Sequence, residues 1–287
     1  MKDIEVENFS LKASVECGQT FSWKRAGAGY VNADVGQVIY VEQQDDVLYY
    51  ETSDFSMNVE RLLRLDDPLQ DIQREINKDS LIQKSIQYAP GLRIVNDPFY
   101  PCLISFISST RKNIPSIKRI LDNLRERYGT RFDFRGASYY GMPTPEQMSN
   151  VTVQDLRRCE LGYRAKFIRR STEAILTGET QPDRIAEMPY EEAHSELKKL
   201  HGVGNKVADC VCLFSLGHLE AFPIDVWIER AIKQQNDIFE GAGKSYAKKS
   251  EAARKYYGKY AGYAQEYLYF YTRSTYDTNQ FGKEKHC

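Results

Sequence analysis

Hydrophobic spacing along this chain changes character once, near Ser56, and that change limits the folds open to it. Before it, "VIYVEQQDDVLYYET" alternates apolar and polar residues on both sides of a polar "QQDD" break, the pattern of two half-buried strands joined by a turn. "FSLKASVECGQTFSWKR" is expected to add further short strands. After it, "MNVERLLRLDDPLQDIQREINKDSLIQKSIQYA" places apolar residues three and four apart, as a helix with one buried face requires. Asp97-Pro98 marks a break. Beyond it, helices are predicted over 100–128, 144–158, 162–177, 190–200, 205–216, 225–235 and 244–275. Pro143, Pro145, Pro182, Pro189 and Pro223 fall between these segments or at their starts, where a missing N–H is tolerated. The expected fold class is α+β. A small N-terminal antiparallel β-sheet domain with its following helices covers 1–97, and a larger, mostly α-helical domain covers 98–287.

Several function classes drop out early. No run of about 18 apolar residues appears, so no membrane span is expected. The opening "MKDIEVENFS" lacks an apolar signal core, and export is not expected. Of Cys17, Cys102, Cys159, Cys210, Cys212 and Cys287, only Cys210 and Cys212 are close, and residues two apart on a helix point to different sides. A disulfide framework or zinc site is not expected, and a reducing cytoplasm fits; in a bacterium the location would be cytoplasmic, beside the nucleoid. His194, His201, His218 and His286 show no ligand spacing, and His194 and His201 are expected to face solvent.

The net charge of −1 hides an uneven distribution. Residues 1–80 hold 8 Lys+Arg against 16 Asp+Glu, and the remainder holds 31 against 24. Basic stripes lie at 111–131, 157–170 and 244–259, with seven, six and six basic residues against two, one and one acids. Three such stripes favour a polyanion partner.

The stretch "LKKLHGVGNKVADC" joins two helices through a glycine-rich link. Gly202 and Gly204 permit backbone angles and close approach that side chains would block. Amides at a helix start point outward and suit a phosphate. Lys206 sits in the first turn of the second helix, where the helix dipole disfavours a cation. Nineteen residues on, Asp225 follows Pro223 in "EAFPIDVWIERAI", a good N-cap position. Capping alone accounts for Asp225, and a surface contact alone for Lys206. Neither accounts for an amine and a carboxylate placed across one hairpin.

These two segments resemble the helix-hairpin-helix, Gly/Pro…Asp superfamily of DNA glycosylases. The resemblance implies that Lys206 attacks the sugar and Asp225 assists. An ordinary lysine has a pKa near 10.4; burial and a helix N-terminus lower it and a carboxylate raises it, a balance the sequence leaves open. The tail "RSTYDTNQFGKEKHC" has only Cys287, unlike the branches that hold an iron–sulfur cluster through four cysteines. Branches acting on alkylated bases usually lack the lysine. Nearly the whole chain is similar to the 8-oxoguanine DNA glycosylase family, in the eukaryotic-like form found in some bacteria.

That resemblance implies a base pocket. Gly18, in "ECGQTFSWK", matches a glycine whose carbonyl accepts the N7 hydrogen that oxidised guanine has and guanine lacks. Gln265, in "YAGYAQEYLYFY", matches the residue reading the Watson–Crick edge, and Tyr269, four residues on, matches the aromatic that stacks on the flipped base. Cys210 packs the other face, and Phe214 and Pro223 complete the pocket. For DNA binding, Tyr163 is expected as the wedge beside the opposite base and Arg164 as its hydrogen-bond donor. Arg111, Asn113, Gly202, Gly204, Val207 and Trp227 are expected along the backbone. Departures from the family pattern are Arg111 and Ser116 in the loop that reads the opposite cytosine, and Trp227 where a histidine is common. Ser116 cannot offer a bidentate fork, so a relaxed opposite-base preference is expected. No cofactor, catalytic metal or iron–sulfur cluster is expected. A structural cation at the carbonyls of Leu200 and Val203 is implied by the resemblance. The partner the resemblance implies is double-stranded DNA containing 8-oxoguanine, and a monomer is expected. Three alternatives stay open: another oxidised purine such as a formamidopyrimidine, a monofunctional glycosylase, and a non-catalytic helix-hairpin-helix DNA-binding protein.

Overall fold

The computed structural model of the chain describes residues 1–54, 57–235 and 237–283, with side chains as far as Tyr276. Five strands form one antiparallel sheet in the order β1-β5-β4-β3-β2: β1 (Lys2–Glu5), β2 (Trp23–Ala26), β3 (Gly29–Asn32), β4 (Ile39–Gln44) and β5 (Val47–Thr52). The "QQDD" hairpin pairs Gln44 with Val47, and Asp45 takes the turn's left-handed position at φ 49°. One expectation fails here. Leu11–Glu16 is a helix, α1, not a strand. Ser10 caps it by accepting from Ala13 N, and Leu11 and Val15, four apart, share its buried face.

Helices α2 (Val59–Leu63), α3 (Leu69–Ile76) and α4 (Ser80–Tyr88) follow the sheet. The segment predicted as one helix over 100–128 is two, α5 (Phe99–Ser109) and α6 (Ile114–Tyr128). Asn113 starts the second by accepting from Ser116 N, and Pro115 suits only a first turn. A two-stranded hairpin, β6 (Arg131–Phe134) and β7 (Ala137–Tyr140), interrupts the helical half against expectation. Its turn places Arg135 and Gly136 at φ 52° and 75°, as two-residue hairpin turns require. The helix predicted from 144 begins only at α7 (Val153–Arg158), behind the reciprocal cap of Thr152 and Asp155.

The remaining helices are α8 (Arg164–Leu176), α9 (Pro182–Ala186), α10 (Tyr190–Leu197), α11 (Asn205–Val211) running into a π-turn (Cys212–Leu216), α12 (Val226–Ile232), α13 (Tyr246–Tyr257) and α14 (Ala261–Lys283). The stretch predicted as one helix over 244–275 divides at Gly258, whose φ of 79° ends α13. Among the described residues no helix is long and apolar enough to cross a membrane.

Two polar devices lock the sheet onto the helices. The buried Arg125 side chain on α6 grips Asp34 at 2.6 and 2.9 Å and donates to Phe21 O at 2.9 Å. Gln19, also buried, donates to Ser14 O and Arg93 O at 2.7 and 2.8 Å and accepts from Val95 N at 2.9 Å. Gly18 therefore sits in a turn held from both sides. The main core is a single cluster joining Cys17 and Phe21 to helices α3 through α14.

Candidate active site

Lys206 is half-buried at the start of α11, and its Nζ donates to Ser109 Oγ at 3.3 Å. The ammonium lies 5.2 Å from the Phe106 ring centroid, a cation–π contact that anchors the side chain at the end of α5. Ser109 Oγ in turn donates to Phe106 O at 2.8 Å. Asp225 caps α12, its Oδ1 accepting from Trp227 N and Ile228 N at 2.9 Å each. Burial pushes the Asp225 carboxyl above its ordinary range, while those two amides and the Lys206 charge oppose the shift. The two side chains feel each other's charge without closing into an ion pair. The carboxylate is fixed by the backbone, and the amine is left for another partner.

The predicted pocket residues converge beside this pair. Gly18 has φ +112°, open to glycine but strained for any side chain. A Cβ there would stand 3.0 Å from Tyr269 Oη. Cys210 is buried, and desolvation pushes its thiol up to about 12, so it is an inert packing surface. Phe214 is buried and stacks on Phe106 with centroids 5.5 Å apart, and Pro223 is buried in the loop ahead of Asp225. Gln265 and its neighbour Glu266 are both buried, and Gln265 Oε1 and Glu266 Oε1 have no hydrogen-bond partner. Of the two, Gln265 lies on the helix face of Tyr269, four residues on, where its unpartnered oxygen is available to a polar ligand.

Comparison with known proteins bears on this geometry. Residues 2–103 match the 8-oxoguanine DNA glycosylase N-terminal domain. Residues 104–256 match the HhH-GPD superfamily of base excision DNA repair proteins. The chain is a member of the HhH-GPD superfamily. It is 34% identical over 217 residues to the probable N-glycosylase/DNA lyase of Methanothermobacter thermautotrophicus, covering 68% of each chain. It is 29% identical over 279 residues to the N-glycosylase/DNA lyase OGG1 of Arabidopsis thaliana, covering 91% of this chain and 76% of that one. The solved Clostridium acetobutylicum 8-oxoguanine glycosylase/lyase, in complex with DNA, superposes with a TM-score of 0.87 at 32% identity, over 94% of this chain and 93% of that one.

The residues expected to face DNA in this HhH-GPD protein divide. Gly202 has φ +88°, and a Cβ would collide with the Phe167 ring at 2.3 Å. Gly204 has ordinary extended backbone and open space before it, so only an outside body could make use of its bareness. Val207 turns its side chain into the core, which leaves its amide at the helix start. Leu200 O already accepts from Val203 N at 3.1 Å, so a cation at this carbonyl would use its second lone pair. Arg111 is exposed at φ +53°, and Asn113, also exposed, is spent on capping α6. Tyr163 is 49% exposed, its ring braced edge-on by Phe167 at 5.5 Å. Arg164 is buried, donating to Thr110 Oγ1 and Thr110 O at 3.1 Å each. Trp227 is partly buried in the first turn of α12. His201 is exposed as expected. His194 is not: its side chain is 15% exposed, with Nε2 3.7 Å from Asp209 Oδ1.

Five further residues support the site and were not singled out from the sequence. Ser109 holds Lys206. Arg273, two turns along α14 from Gln265, donates to Tyr269 Oη at 3.3 Å and to Glu16 O at 3.2 Å. Glu266 is pushed up to about 7 by burial, against Cys17 and Arg273, which favour its charged form. Asp209, three residues after Lys206, accepts from Tyr246 Oη at 2.6 Å, and Tyr246 Oη accepts from Ile224 N at 3.1 Å. That chain links the helix of Lys206 to the loop of Asp225. Periodicity does mark Arg273, which falls on the face of Gln265 and Tyr269. Nothing in the sequence marks the others. Among the described residues no three His, Cys, Asp or Glu side chains gather as a metal site; Cys287 and His286 lie outside them.

Proposed function

We propose that this protein excises 8-oxoguanine from duplex DNA and cleaves the resulting abasic site by β-elimination. The observation that carries the reading is Lys206, anchored short of an ion pair, beside the expected base slot, where Gln265 Oε1 is buried without a partner. Its relatives are named N-glycosylase/DNA lyases and an 8-oxoguanine glycosylase/lyase. A backbone-binding module would need neither the slot nor the lysine.

In the proposed reaction the base flips between Tyr269 and Cys210, with Gln265 on its Watson–Crick edge and the Gly18 carbonyl accepting from N7–H. The free amine of Lys206 bonds to C1′. The C1′–N9 bond breaks, and the base leaves with the electron pair and takes up a proton. Asp225, fixed by two amides, stabilises the positive charge that builds on the sugar. The C1′–O4′ bond then opens to a protonated Schiff base. Loss of a C2′ proton expels the 3′ phosphate. The lysine route calls on no cofactor, metal or iron–sulfur cluster. Tyr163 acts as the wedge, and the 202–207 turn grips the backbone.

Borohydride trapping on duplexes carrying 8-oxoguanine tests this. Wild type forms a covalent adduct and releases the base; Lys206→Gln forms none, and Asp225→Asn forms it slowly. Base release without an adduct would make the enzyme monofunctional. Intact 8-oxoguanine beside a cleaved formamidopyrimidine would move the substrate, and neither product would leave a binding protein.

A further inference from the structure

One cationic site on the chain has no assigned role. Arg230, on α12 one turn beyond Asp225, is flanked by two rings: its guanidinium carbon lies 4.3 Å from the Trp227 centroid and 4.1 Å from that of Tyr276. The rings themselves meet at 70° with centroids 5.7 Å apart. Among the described residues no carboxylate stands within 4 Å of Arg230, and no N–H of it meets a protein acceptor. Its Nη1 is shut away from water and still unpaired. The adjacent carboxylate, Glu229, is turned to Lys249 at 2.6 and 2.7 Å. Burying a guanidinium edge without an acceptor is costly, and rings that cover a cation leave its in-plane donors as its only free valence. The rings hold the guanidinium in place, and among the described residues no acceptor meets its Nε or Nη2, the edge left for an anion arriving from outside.

The location restricts that anion. Trp227, whose ring covers Arg230, also supplies an amide that fixes Asp225, so the guanidinium and the carboxylate are both tied to the first turns of α12. We propose that Arg230, braced by Trp227 and Tyr276, binds a phosphodiester of the lesion-bearing strand adjoining the flipped nucleotide. This rests on the reading of Lys206 and Asp225 given above. Exposed Tyr276, at the rim, makes the site an aromatic-walled socket for one phosphate rather than part of a diffuse basic face.

The test uses the full chain and a duplex with a tetrahydrofuran abasic analogue, which binds without reacting. In wild type the logarithm of affinity falls steeply with the logarithm of salt; in Arg230→Gln the slope becomes less negative by about one. Replacing one phosphate next to the analogue, on its 5′ or 3′ side, with a neutral methylphosphonate weakens wild type about tenfold and costs Arg230→Gln nothing further. An unchanged slope, or a methylphosphonate penalty equal in both proteins, overturns the proposal. Should Arg230→Gln melt below the assay temperature, Arg230→Lys takes its place: the slope is kept and the methylphosphonate penalty shrinks. Wild type indifferent to both methylphosphonates overturns it without any variant. Trapping of wild type with an unchanged slope sinks this inference alone. Absence of trapping and of base release sinks the parent reading, while the slope still reports the phosphate contact.

Discussion

Arg273 fills the space in front of Gly18: its Nη1 lies 2.5 Å from the point where a Cβ on that glycine would stand. The same guanidinium holds the Tyr269 hydroxyl, so the proposed stacking ring and the proposed lesion-reading turn are one packed unit. Gly18→Ala must take a left-handed backbone angle and displace Arg273. It is expected to lose about 1–3 kcal/mol of stability. Release of 8-oxoguanine should fall at least about tenfold, with trapping on a preformed abasic site reduced less. Single-turnover assays on the two substrates, side by side, check this.

Glu266 makes stability depend on pH. Its folded pKa of about 7 exceeds the ordinary 4.5, so between those values the folded state binds more protons than the unfolded state. Stability is full below about pH 4.5, falls as pH rises to about 7, and is level above that. Asp97, also raised to about 7, contributes in the same direction. Glu266→Gln should match wild type at pH 4.5 and exceed it by on the order of 3 kcal/mol at pH 8. Thermal melts at the two pH values measure the difference.

Asp34→Asn removes the buried counter-charge of Arg125 and leaves it only the part-exposed Asp122 carboxylate at 3.0 Å. The expected loss is about 3–5 kcal/mol in urea denaturation. Arg125→Met with Asp34→Leu should recover much of it, since an apolar pair carries no desolvation penalty.

Tyr246→Phe removes the hydroxyl that links Asp209 on α11 to Ile224 ahead of Asp225. Borohydride trapping at saturating DNA is expected to slow by about tenfold, with affinity for the abasic-analogue duplex unchanged, because the amine and carboxylate lose their relative placement. Equal losses in affinity and rate would point to general loosening instead.

Opposite-base choice should be weak. Ser116 carries no fork, Asn113 is occupied as a cap, and Arg164 is turned onto Thr110. Cleavage opposite adenine is expected within about a hundredfold of that opposite cytosine. Ser116→Arg should widen the gap. A ratio of several orders of magnitude in wild type would contradict this.

The parts of the fold that a local pattern dictates were legible in the sequence. The β4–β5 hairpin followed from alternation, and the hairpin of Gly202 and Lys206 from glycine spacing and helix starts. Apart from the β6–β7 hairpin, several errors fall where capping overrides periodicity. Ser10 makes a helix of a strand-like run, and Asn113 and Gly258 each cut a continuous apolar pattern in two. Lys206 and Asp225 could be singled out because each sits in a short motif. Ser109, Glu266 and Tyr246 could not. Each acquires its role from a contact across distant elements, and an ordinary serine, glutamate or tyrosine carries no mark of it.

Phe167 supports two things at once: its ring closes over Gly202 in the backbone-gripping turn and braces Tyr163, the proposed wedge. In the proposed complex a single ring would therefore stand behind both the turn that holds the backbone and the wedge that enters the stack.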